Sequence, residues 1–200
     1  MGSEVSSSIR YAPGQPLPAY AYVPGHGLPH PVNDPSGHLY GTQHAEEVLP
    51  SAAHFAASPA WLYAIDLFNG GYAWEAHEAW EAFWNALGRT TPEARCVQGL
   101  IHLAAAAVKI REGKPEGVSR HTRRACELLG GLKPACFGGE KKTVNEPDCN
   151  DKPELRAVLG LSEESLAAVV TELANYTPAC WHTSRCPVVR VVASELLTFK

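Results

Sequence analysis

TPEARCVQGLIHLAAAAVKIREG, residues 91–113, reads as one complete helix with both of its ends written into it. Thr91 can accept hydrogen bonds from the free amides of the first turn. Pro92 follows where no backbone donor is needed, and Gly113 stops the run. Between them Leu100, Ile101, Leu103, Ala104 and Val108 cover most of the helix, while Arg95, Gln98, His102 and Lys109 fall on one narrow stripe. Working outward, the same signals recur. Ser58-Pro59 opens a helix that runs to about Asn69 and stops at Gly70-Gly71. A second, about Tyr72 to Leu87, ends before Gly88, and a fourth, about Pro115 to Leu129, ends at Gly130-Gly131. The turns are short and glycine-rich, which predicts antiparallel neighbours packed into a bundle. Ser162-Glu163-Glu164-Ser165 caps a fifth helix to about Asn175. The expected class is therefore all-α, with about five helices.

Three segments follow from this reading: a Pro-rich extended arm over 1–57, a helical core over 58–131, and a loop, fifth helix and tail over 132–200 that pack on the core. Pro13, Pro16, Pro18, Pro24, Pro29, Pro31 and Pro35 remove backbone donors from the arm and favour extended chain. Tyr11, Tyr20, Tyr22 and Tyr40 give it apolar surface to lay across the helices. His26, His30, His38, His44 and His54 also fall in this quarter, and His30 and His38 flank Asp34; they read as solvated turn residues, with a metal or substrate role as the alternative. Gly138-Gly139 and the polar run 140–152 read as a long loop. The β-branched run Val188-Val189-Arg190-Val191-Val192 leans towards a short strand. A weak internal echo joins LFNGGYAWEAHE and IREGKPEGVSRH, each a helix end, a glycine turn and a new start.

A net charge of −4 argues against general nucleic-acid binding, which needs a basic surface. The longest apolar stretch, Leu100 to Ile110, is about half of the roughly 20 residues a membrane span requires. The first residues lack a secretory signal and fit only the loose myristoylation pattern, through Gly2 and Ser6, so a cytoplasmic location is expected. Cysteines 96, 126, 136, 149, 180 and 186 contain no C-x-x-C pair. Cys96 and Cys126 fall in apolar helical patterns, where a thiol behaves as a small buried hydrophobe.

The chemistry-bearing residues concentrate in the second helix. His77, Glu78 and Glu81 share a face with Trp74 and Trp84, opposite Ala76, Ala79, Trp80 and Phe83. A helix so apolar draws these groups partly out of water, and carboxylates withdrawn from water need partners. The polar stripe of the third helix supplies candidates in Gln98 and His102. Three readings stay open: a structural hydrogen-bond network, a divalent-metal site built from His77, Glu78, Glu81 and His102, and metal-free acid–base catalysis by His77, Glu78 or Glu81. Gln98, His102 and Trp84 are the candidate ligand-binding residues. The spacing departs from H-E-x-x-H, because position 81 is Glu. A basic cluster, Arg111, Lys114, Arg120, His121, Arg123 and Arg124, reads as a solvated helix face or an anion site.

LFNGGYAWEAHEAWEAFW followed by QGLIHLAAAAVKIREGKPEG resembles the domain-of-unknown-function family 309, a group of small helical proteins. The resemblance rests on Glu75, His77, Glu78, Glu81 and Trp84, then on Gln98, Gly99, Leu100 and Ile101, and covers about residues 60–130. It implies an all-α fold and carries no assigned reaction. Residue 102 is often Gln in that family and is His here; residue 109 is often His and is Lys here. Both departures weaken a metal role carried over from the family pattern.

Two functions from different classes follow. One is a helical protein whose His/Glu/Gln cluster binds a small ligand or metal. The other is a helical-hairpin scaffold for a protein partner, in which the cluster is structural. A closed polar cavity would mark the first and an exposed apolar groove the second.

Overall fold

The computed structural model describes residues 9–41, 55–129, 159–176, 183–184 and 186–198. The myristoylation pattern, His44, His54, the 140–152 loop and Cys136, Cys149 and Cys180 lie outside them. Five α-helices occur among the described residues: α1 (Pro59–Asn69), α2 (Ala73–Ala86), α3 (Pro92–Arg111), α4 (Pro115–Leu128) and α5 (Glu163–Ala174). The first four follow one another as antiparallel hairpins. Helix α2 packs between α1 and α3, α3 packs on α4, and α5 closes the α4 side.

The caps act as the sequence implies. Ser58 Oγ accepts from the Trp61 amide, Thr91 Oγ1 from Ala94 and Ser162 Oγ from Ser165. Each such cap stabilises its helix by about 1 kcal/mol. The stops share one device. Gly71, Gly88 and Gly113 adopt φ of 90°, 78° and 67°. Each donates its amide back into the helix it ends, to Phe68, Asn85 and Ile110, and the next residue donates one carbonyl further back, to Leu67, Trp84 and Lys109. This double bond pattern needs a left-handed residue, which glycine supplies without steric cost. The internal echo is the repetition of this turn at Gly71 and Gly113.

The core draws on all five helices. Trp61, Trp80, Ile65, Leu100, Leu103, Leu166 and Leu173 are fully buried in it. Gly99 lets α4 come close, since a Cβ there would sit 2.6 Å from Leu129 Cγ. Cys96 and Cys126 are buried thiols, as their helical settings imply.

The arm crosses α1 and α2 and is held by side-chain carboxylates. Asp66, 1% exposed, accepts from Arg10 Nε (2.9 Å), Tyr11 N (2.8 Å) and Ala12 N (2.8 Å). The tail corrects the expectation of a strand: residues 188–192 pair with no neighbouring strand. Side chains take up much of the tail's backbone instead. Asn69 exchanges two bonds with Leu196, and the Glu172 carboxylate accepts from Ala193 and Ser194. Among the described residues the one ladder contact is an isolated antiparallel bridge between Leu161 and Thr198.

Candidate functional site

Helix α2 carries polar groups on two sides, and they meet different surroundings. On the side of the arm stands Glu75, in the first turn of α2. It is 4% exposed, the most deeply buried acid of this helix. Its Oε1 accepts from the Tyr22 amide at 2.9 Å, which docks the arm, while its Oε2 is buried with no hydrogen-bond partner. His38 Nε2 lies 3.5 Å from Oε1, too poorly aligned for a hydrogen bond, and both His38 ring nitrogens are buried without one. Burial pushes the Glu75 carboxyl up to about 7, against the lowering effect of the Tyr22 and Glu75 amides; nearby Glu78 adds to the rise. Burial likewise lowers His38. A neutral imidazole and a reluctant carboxylate therefore sit side by side.

These two groups open on a cavity of about 480 Å³ between the arm, α1 and α2. Its apolar wall includes Pro18, Leu39, Leu67, Ala79 and Phe83, and its acids are Glu75, Glu78 and Glu81. Among the described residues no lysine or arginine lines it.

On its other side α2 presents His77 to α3 and α4. His77, Glu78 and Glu81 are only partly withdrawn from water, with side chains 27%, 39% and 41% exposed. His77 Nδ1 lies 3.5 Å from Glu78 Oε1 and Nε2 3.8 Å from Glu81 Oε1. One ligand atom from each of the three residues falls within 4.8 Å of the others, a spacing that a metal ion can bridge.

His102, expected opposite these three, contacts His121 of α4, with the two Nδ1 atoms 3.0 Å apart. One ring must donate and the other accept, so the pair holds a single proton between them. Burial drives His102 down to about 4, helped by His121, Arg124 and His77, and burial lowers His121 as well. His77 acts on both rings, so imidazoles of α2, α3 and α4 form one electrostatic group.

Other expected residues go elsewhere. Gln98 is half-buried on α3 and makes no hydrogen bond to the α2 acids. Trp84 stacks under the Arg89 guanidinium, 5.0 Å from its ring centroid. Lys109 binds Glu112 (2.8 Å) rather than an α2 acid. The basic cluster is also divided: Lys114 pairs with Glu112, Arg124 with Glu127, Arg111 is buried and His121 meets His102. The three arm histidines among the described residues are half-buried. His38 sits beside Glu75 with both ring nitrogens buried, His30 packs on Tyr22 and Trp74 while its Nδ1 accepts from the Val32 and Asn33 amides, and His26 Nε2 lies 3.0 Å from Arg111 O.

Glu75 belongs to the α2 motif, but the motif's spacing does not single it out as a site. A usable signal exists: Glu75, Ala79, Ala82 and Phe83 recur at helical spacing, so the acid belongs to a stripe of small and apolar residues. What it opposes, Tyr22 and His38, is set by the path of the arm.

No curated protein and no solved structure matches the chain. Residues 61–121 match the family model described as Domain of unknown function (DUF309). The match contains Glu75, His77, Glu78, Glu81 and His102, and it spans the helical module from α1 into α4.

Proposed function

We propose that this protein binds a small organic molecule in the cavity between the arm, α1 and α2. The observation that carries the reading is Glu75: a carboxylate oxygen buried without a partner at the wall of a cavity of about 480 Å³. Leaving such an oxygen unsatisfied costs about 1–3 kcal/mol, a cost that a bound polar group removes. The volume falls in the range of small-molecule sites, roughly 300–1,000 Å³. The scaffold reading lacks a comparable support. The exposed large apolar residues, Ile9, Val32, Tyr40 and Leu197, are spread over the arm and tail and outline no groove among the described residues.

The test is ligand-observed NMR with a mixed fragment set, followed by amide shifts on labelled protein. Hits should perturb Tyr63, Leu67, Ala79 and Ala82, and Ala79→Phe, which fills the cavity, should abolish them. Hits that survive Ala79→Phe and map elsewhere would refute the reading.

A second reading, a divalent cation held by His77, Glu78 and Glu81, rests on the 4.8 Å grouping of their donor atoms. His102 pairs with His121 instead of joining this group, and His77 reaches both only through its field. Zn²⁺ alone should then raise the melting temperature of the full chain, and Glu81→Ala should remove the rise. An unchanged melting temperature at saturating Zn²⁺ would discard it.

A further inference from the structure

We infer that the occupant of the arm–α1–α2 cavity is an organic cation, an alkylammonium whose charged end pairs with Glu75 and whose carbon chain lies on Leu39, Leu67 and Phe83. This rests on the ligand-binding reading above and names the chemical class it takes.

The argument begins with charge. Three carboxylates, Glu75, Glu78 and Glu81, line the cavity, and no lysine or arginine among the described residues faces it. Among the described residues two other acids whose side chains are almost wholly buried have their cations. Asp66 has Arg10 at 2.9 Å, and Glu112 has Lys109 at 2.8 Å and Lys114 at 2.5 Å. Glu75 is as buried as these and has only the Tyr22 amide and the uncharged face of His38. A buried carboxylate is tolerated when a counter-charge and hydrogen bonds meet it, and here one oxygen lacks both. An ammonium group supplies a charge and three donors in one atom.

Size and wall decide between an organic cation and a bare ion. About 480 Å³ is far more than a metal ion fills, and much of the wall is carbon. Apolar walls with a few convergent polar groups orient an organic molecule by its polar end. Glu75 is the deep group, whereas Glu78 and Glu81 are 39% and 41% exposed. The two outer acids draw cations towards the cavity and the inner one fixes the ammonium. An anion would meet the exposed carboxylates of Glu78 and Glu81 on its way in, and a neutral molecule would leave the inner Glu75 oxygen without a counter-charge.

Calorimetric titration of the full chain with n-butylammonium, n-butanol and butyrate separates the outcomes. Butylammonium should bind at least about ten-fold more tightly than butanol, and butyrate should not bind. Glu75→Gln keeps the shape and the Tyr22 bond but removes the charge; it should lower butylammonium affinity about ten-fold and leave butanol unchanged. Glu81→Gln should lower it only about two-fold, as expected of an acid in contact with water. Shifts at Leu67 and Ala79 in the NMR spectrum report whether each variant is folded and whether the probe is in the cavity. Equal binding of butanol and butylammonium, or a Glu75→Gln protein that binds the amine like wild type, would overturn the inference. If neutral or anionic fragments enter the cavity and the ammonium does not, the cation is wrong and ligand binding stands. If no probe of any charge enters, both fall.

Discussion

The two sides of α2 place similar groups under opposite conditions. Towards the arm, Glu75 meets Tyr22 and His38, both far earlier in the chain, and burial raises its carboxyl to about 7. Towards α3 and α4, the imidazoles of His77, His102 and His121 share one another's field, and burial with mutual repulsion drives His102 down to about 4. Both sides disfavour charge. The arm side disfavours a negative one and opens on a cavity; on the other side His102 and His121 disfavour a positive one, and all three imidazoles are half-buried.

The comparison depends on the arm staying in place, and Asp66 is its anchor. Asp66→Ala removes the acceptor of Arg10 Nε and of the amides of Tyr11 and Ala12. Leaving the two amides without an acceptor costs about 1–3 kcal/mol each, while Arg10, 26% exposed, keeps water and the Ala12 and Gln15 carbonyls. Urea unfolding should show that loss, and the amide shifts of Tyr22 and His38 should move with it. A loss under about 1 kcal/mol would mean that the arm is held mainly by its apolar contacts.

Next in size is the pH response of Glu75. Its value is 4.5 when unfolded and about 7 when folded, so the folded state holds the proton more tightly. The stabilisation that this brings is fully present below pH 4.5 and is lost as pH rises through 7, by about 3 kcal/mol in all. Tyr20, Tyr63 and Tyr72 stay neutral in that window, and burial raises all three. Glu75→Gln should flatten this part of the stability–pH profile. A wild-type profile that is level from pH 4.5 to 7 once other carboxylates are accounted for would place Glu75 in better contact with water than the fold implies.

His102 should give the mirror image. Its folded value is about 4 against 6.5 unfolded, so stability is present above pH 6.5 and is lost as pH falls towards 4. His102 is only half-buried, and screening reduces the effect to about 1–2 kcal/mol. His102→Gln should remove most of this acid-side loss, and NMR titration of the ring should show His121 moving with it. Independent titration of the two rings would break the imidazole group apart.

What the sequence disclosed divides along the same line. The helices were legible because their causes are local: Ser58-Pro59, Thr91-Pro92, Ser162 and the glycines at 71, 88 and 113 act within a turn of where they stand. The all-α bundle follows from these signals and from short connections. The site was legible only in part. His77, Glu78 and Glu81 come together because they are neighbours on one helix. The Glu75 cavity needs Tyr22 and His38, whose approach depends on how a proline-rich arm settles on α1. The His102–His121 contact crosses the α3–α4 turn, where His121 reads along the chain as one charge among arginines. The tail misled for a related reason: β-branched residues at 188–192 favour extended chain, yet no strand edge lies beside them.

The smallest expected effect is at Glu78, and it separates the two acids most cleanly. From the helix pattern alone Glu78→Leu should strand its partners at a cost of about 1–3 kcal/mol. The structure lowers that figure. Glu78 is 39% exposed and its ion-pair contact is His77 Nδ1 at 3.5 Å, which is not a hydrogen bond. Exposed contacts of this kind contribute about 0–1 kcal/mol, and water satisfies the carboxylate as well as the imidazole does. Glu78→Gln should therefore change stability by less than about 0.5 kcal/mol, and Glu78→Leu by little more. Glu78→Gln also removes a like charge from beside Glu75, so Glu75 should titrate lower in the variant, since Glu78 is one of the causes of its rise. The measurement is urea unfolding of both Glu78 variants beside Glu75→Gln at one pH, with the Glu75 carboxyl followed by NMR. A Glu78→Leu loss as large as 3 kcal/mol would show that the outer acid is buried as deeply as the inner one, and that the two sides of α2 are a single polar network.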